Sequence, residues 1–140
     1  MGNPKQKVMV IEDDPEMVSL LTTLLKLEGF IVKTPENHQM KGVLDAIINE
    51  QPLIALVDVN LAIGSGLDLV REIRLDPGLA HTSILMASGL NLKRECIQAG
   101  ADGFIMKPFM PDELLNLIHK TIKNSTEQQT KEIEYKKKLS

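Results

Sequence analysis

The sequence predicts an α/β domain in which a parallel sheet is covered by helices on both faces, and three observations carry that expectation. Five short apolar runs alternate along the chain with five segments of helical periodicity, the pattern of repeated βαβ units. The third run, Leu53–Val57, is apolar throughout, as a strand buried on both faces must be. Several runs end abruptly in charged or hydroxyl residues, and in an open parallel sheet those carboxyl ends border the functional crevice.

Lys7–Ile11 reads as the first strand, stopped by Glu12-Asp13-Asp14. Asp14-Pro15-Glu16 supplies an N-cap, a proline at the first helical position and an acid in the first turn. Met17, Leu20, Leu21, Leu24 and Leu25 then mark one helical face, ended by Gly29. Phe30–Lys33 is expected as the second strand. Met40, Val43, Leu44, Ile47 and Ile48 mark the second helix. After the third strand, Leu67, Val70 and Arg74 mark a helix closed by Asp76-Pro77-Gly78. Ser83–Ala87 is the fourth strand, residues 91–98 a short helix ended by Gly100, and Gly103–Met106 the fifth strand. Pro111-Asp112-Glu113 opens the last helix, whose stripe is Leu114, Leu115, Leu117, Ile118 and Ile122. Right-handed crossovers and five units make the flavodoxin-like order 2-1-3-4-5 the expected topology.

Residues 1–124 are thus expected to form the domain. Residues 125–140 are polar, with only Ile133, Tyr135 and Leu139 as larger apolar groups, and too little to bury for independent folding. They are expected as an extension of the last helix or as a linker. No helix-turn-helix or catalytic module is recognisable after Asn124, which suggests a single-domain regulator or a piece of a larger protein.

Composition narrows the function. A net charge of −3 gives no basic field, and 3% aromatics leave few rings on which bases could stack, so direct nucleic-acid binding is not expected. No apolar run approaches membrane-spanning length. Residues 5–7 lack the Ser or Thr that N-myristoylation requires. The single Cys96 reads as a small core hydrophobe, and a cytoplasmic location is expected. His38, His81 and His119 match no metal spacing, and they are expected to lie away from the strand ends.

Glu12 and Asp13, Asp58, Ser88 and Lys107 end four different strands. Clustered carboxylates are costly unless a hard cation such as Mg²⁺ neutralises them. A lysine beside them can pair with a carboxylate and then with phosphoryl oxygens. A carboxylate can act as a nucleophile toward phosphorus.

Those residues, in order, resemble the receiver domain of two-component response regulators. The matching pieces are Val10-Ile11-Glu12-Asp13-Asp14, Val57-Asp58-Val59-Asn60-Leu61 with Gly66, Leu85-Met86-Ala87-Ser88-Gly89, and Gly100 to Phe109 around Lys107-Pro108. The resemblance implies that Asp58 accepts a phosphoryl group. It implies that Asp13, Asp58 and the Asn60 carbonyl hold Mg²⁺ directly, with Glu12 acting through water. Ser88 is implied as the switch hydroxyl, Lys107 as the conserved-type lysine, Phe104 as the rotamer-switching aromatic, and Lys107–Pro108 as a cis bond. A sensor histidine kinase or a histidine phosphotransfer protein is implied as donor. The face of the fourth helix, fifth strand and last helix is implied as the output surface, its partner unknown. Three positions depart from the family's usual pattern: Ala62 where proline is common, Gly89 where alanine is usual, and Phe104 without a hydroxyl. No turnover enzyme is expected. A haloacid-dehalogenase-like phosphohydrolase would want an acid where Asn60 stands, and an unphosphorylated receiver-like binding module is the other alternative.

Overall fold

A computed structural model describes residues 6–140, so the first five residues of the expected domain, and most of the N-terminal lipidation reading, lie outside it. The main sheet comprises β1 (Lys7–Ile11), β2 (Ile31–Lys33), β3 (Ile54–Asp58), β4 (Ser83–Ser88) and β5 (Gly103–Met106). Its spatial order is β2-β1-β3-β4-β5, and every pairing is parallel. The helices are α1 (Pro15–Leu27), α2 (Met40–Glu50), α3 (Gly66–Leu75), α4 (Lys93–Ala99) and α5 (Pro111–Leu139).

The period of two along each strand divides the core. Met9, Ile11, Ala55, Val57, Ile84 and Met86 pack with α2, α3 and α4. Val8, Val10, Ile54, Leu56 and Leu85 pack with α1 and α5. This burial of alternate residues on both faces is what the continuously apolar β3 required. Cys96 is fully buried in the first layer; its thiol is pushed up by burial and by nearby Glu95.

Several element boundaries differ from expectation, each for a local reason. β2 begins at Ile31 because the Phe30 amide still donates to Leu25 of α1 (3.1 Å), completing the turn around Gly29 at φ +97°. Leu20 is 60% exposed, so the apolar stripe of α1 is narrower than its leucines suggest, with Leu21 and Leu25 buried. α4 starts two residues late, at Lys93, capped by Leu92 without a side-chain bond. An antiparallel ribbon, Asn60–Leu61 with Gly64–Ser65, interrupts the expected loop after β3. Asp76 caps a short 3₁₀ turn, Pro77–Leu79.

Residues 125–139 continue α5 as helix. Its buried residues are Leu114, Ile118 and Thr121, and from Thr126 onward it is exposed. At 1.5 Å per residue the helix is about 43 Å long, and roughly its second half is exposed.

Candidate functional site

The alternation that divides the core also aims the charged groups. Continuing the even-numbered residues of β1 and β3 toward the strand ends brings Glu12 and Asp58 to the α1/α5 side of the sheet. Lys107 follows Ile105 to the same side. Ser88 and Phe104 fall on the other side, in line with Ile84 and Met86. The registers Ile11↔Val57, Asp58↔Ala87 and Ser88↔Met106 align these strand ends at one edge.

Lys107 is the hinge of the cluster. Its Nζ donates to Glu12 Oε1 at 2.8 Å and lies 3.3 Å from Asp58 Oδ1. Glu12 is only 6% exposed, and its second oxygen accepts from the backbone N–H groups of Asp13 (2.9 Å) and Asp14 (3.3 Å). Burial raises the Asp58 carboxyl above its ordinary value, and the charge of Glu12 raises it further; Lys107 offsets this only in part. Burial alone would lower the Lys107 ammonium, but its bonds to Glu12 and the charges of Asp58 and Glu12 outweigh that and raise it. The lysine stays protonated beside acids that carry more charge than it can balance.

Asp13 faces other partners. His38 Nδ1 lies 3.0 Å from Asp13 Oδ1, and the Ala62 amide, in the ribbon after β3, donates to Asp13 Oδ2. His38 therefore lies against the site, contrary to its expected place away from the strand ends. The order β2-β1-β3 explains it: the loop leaving β2 lies beside the end of β1. That loop was the available signal, since the whole carboxyl edge of such a sheet borders the crevice.

Asn60 is exposed at the base of the ribbon, and its amide donates weakly to Asp58 Oδ1 (3.4 Å). Ser88 is buried, and its hydroxyl accepts from the Leu90 amide at 3.1 Å; no bond joins it to Asp58 in this arrangement. Phe104 is half-buried against the α2/α3/α4 layer. The Lys107–Pro108 bond is cis. Gly66 has a second role: a Cβ there would collide with the backbone carbonyl of Asp58, while its amide donates to Val59 at 2.6 Å.

The donor set suits a hard divalent cation. Glu12, Asp13, Asp58 and the Asn60 carbonyl offer oxygen ligands, and one ammonium faces the carboxylates. Among the described residues, no three His, Cys, Asp or Glu side chains are grouped as a metal would require, and Asp13 is turned to His38 and Ala62. Nor, among those residues, is any helix long and apolar enough to cross a membrane.

Residues 8–119 match the family model for the response regulator receiver domain. The cell cycle transcriptional regulator CtrA of Caulobacter vibrioides is 34% identical over 122 residues, covering 85% of this chain and 51% of that protein. The DNA-binding response regulator MtrA of Mycolicibacterium smegmatis is 27% identical over 128 residues, covering 91% of this chain and 55% of that one. The chain thus spans about half the length of these relatives, so what the MtrA name says of DNA applies to a protein about twice as long. Among solved structures, a CheY-like receiver domain protein from Methanospirillum hungatei superposes with a TM-score of 0.77 at 26% identity, covering 89% of this chain and 99% of that one. The receiver domain of the sensor histidine kinase PA1611 from Pseudomonas aeruginosa, solved with magnesium in its active-site cleft, has a TM-score of 0.74 at 24% identity and covers 85% and 98% of the two chains.

Proposed function

The chain belongs to the response regulator receiver domain family of two-component signalling, and on that premise we propose that Asp58 is its phosphoacceptor. The observation that carries this is the Lys107 ammonium, within 3.3 Å of Asp58 and 2.8 Å of Glu12, at the end of the central strand. An Asp58 oxygen attacks the phosphorus of a phosphohistidine; the O–P bond forms as the P–N bond breaks, and the imidazole leaves as neutral histidine after taking up a proton. Lys107 is placed to keep its charge on Asp58 before transfer and on the phosphoryl oxygens afterward.

Asp13, Asp58 and the Asn60 carbonyl would hold Mg²⁺, with Glu12 reaching it through water. When bound, such an ion supplies positive charge that Lys107 alone does not provide. Ser88, whose oxygen accepts from the Leu90 amide, can turn so that its O–H donates to a phosphoryl oxygen, and Phe104, on the same side of the sheet, would move into the space it leaves. The surface of α4, β5 and α5 is then the output face. The donor is a sensor histidine kinase or a histidine phosphotransfer protein. Residues 1–124 form the receiver proper and 125–140 its helical extension, working in the cytoplasm.

Incubation with Mg²⁺ and phosphoramidate, read by intact-protein mass spectrometry, should add one phosphoryl group to the wild type and none to Asp58→Ala. Equal labelling of the variant would overturn the assignment. Sustained turnover of phosphate monoesters would return the phosphohydrolase reading.

A further inference from the structure

Asp13 is a proposed cation ligand whose two carboxylate oxygens are both already engaged, one by the Ala62 amide and one by His38 at 3.0 Å. We propose that His38 is a positioning residue that withholds Asp13, so that its imidazole and the divalent cation compete for one carboxylate oxygen. This rests on the reading of the Asp58 pocket as a Mg²⁺ site.

The loop that carries His38 is built to keep it there. Asn37 Oδ1 accepts from the Gln39 amide at 3.1 Å, and α2 starts at the next residue, Met40. The Asn37 side chain lies over Gly42, where any Cβ would collide with it. The backbone on both sides of His38 is therefore tied to the start of α2. The imidazole itself is 47% exposed, so no burial forces it toward Asp13, and the contact with the carboxylate is what directs it. Mg²⁺ demands near-ideal octahedral geometry from its oxygen ligands. An N–H held on Oδ1 takes one of that oxygen's lone-pair directions and draws on its charge, so the cation gains the full ligand only when the ring turns away. The ring's hold on Asp13 is thus a fixed cost on cation binding, small because the pair is partly exposed.

Calorimetric titration of the full chain with Mg²⁺, at one pH and ionic strength, tests this in the wild type, His38→Ala and His38→Asn. The alanine variant should bind Mg²⁺ roughly two- to fivefold more tightly, the range expected for a partly exposed side-chain hydrogen bond to a carboxylate. The asparagine variant can present an amide N–H where Nδ1 stood and should keep the wild-type affinity. Metal-free melting midpoints should barely differ, which separates withholding from a general loosening of the fold. Unchanged binding in His38→Ala would overturn the inference while leaving the Mg²⁺ site standing. Weaker binding would overturn it too, and would make His38 a ligand in its own right. Absence of Mg²⁺ binding in all three proteins would remove the cation site itself, and the competition with it.

Discussion

The two ends of the sheet treat charge in opposite ways. At the amino ends of β4 and β5, Arg74 on α3 donates to Gly100 O (2.9 Å), Thr82 O (2.9 Å) and Asp102 Oδ2 (2.8 Å). The same Asp102 oxygen accepts from the Ile84 amide at 2.7 Å. One cation meets one acid, and the remaining donors are spent on carbonyls that close α4 and lead into β4. At the carboxyl ends, Glu12 and Asp58 share one ammonium, with Asp13 beside them. The first end is neutral and saturated, as a structural network should be. The second carries a surplus of negative charge, which is unfavourable at rest and useful when a cation and a phosphoryl group arrive. A strongly bonded charge cluster and a functional one are therefore told apart by charge balance rather than by bond count.

The largest effect on stability should come from breaking the saturated end. Arg74→Ala takes the side-chain donor from the Gly100 and Thr82 carbonyls and leaves Asp102 with the Ile84 amide alone, and should cost about 2–3 kcal/mol. The check is the shift in urea midpoint. Phosphoryl uptake by Asp58, measured under native conditions, should survive. If Arg74→Ala abolished uptake in folded protein, the two ends would be coupled and the contrast between them would fail.

What could be read in advance follows the same division. Glu12, Asp58, Ser88 and Lys107 were legible because each ends an apolar run, and a strand's end is set by its own few residues. The register that brings them to one edge follows from βαβ topology. His38 is hidden because a loop histidine carries no period: the expected strand order puts its loop beside the end of β1 but does not say where in that loop the ring falls. The Asn60–Ser65 ribbon was hidden because two-residue strands show no alternation. Arg74 reads only as a helical residue, since its partners lie at residues 82, 100 and 102. The helical state of residues 125–139 is not decided by hydrophobic pattern. Spacings such as Glu132 to Lys136 and Glu134 to Lys138 favour a helix without any burial.

A pair of matched substitutions sharpens the contrast by sign. Asp102→Asn keeps the shape but gives up the charge that Arg74 and the Ile84 amide both address, and should destabilise by about 1 kcal/mol. Asp58→Asn removes charge from a site that has too much, and in metal-free protein should stabilise by a smaller amount, below about 1 kcal/mol. Paired thermal melts in chelator give both values. Shifts of the same sign would mean that Lys107 already balances its acids and that the surplus is illusory.

The smallest effect is the pH dependence of that gain, and its sign is fixed by the Asp58 carboxyl. Burial and Glu12 raise its affinity for a proton in the folded chain above that in the unfolded chain. Below the ordinary carboxylate range, about pH 4, Asp58 is protonated in both states and the wild type and Asp58→Asn should be nearly equal. As pH rises through the ordinary value toward the raised one, the unfolded chain loses this proton first. The wild type then loses stability relative to the variant until Asp58 is ionised in both states, and the difference levels off. Saturating Mg²⁺ should shrink that plateau, because a cation does for the ionised carboxylate what the proton did for the neutral one. Urea titrations across the acid range, with and without Mg²⁺, measure the difference directly. A gain that is independent of pH would show that Asp58→Asn acts through packing or backbone contacts, and the surplus of charge at this end of the sheet would then have no bearing on stability.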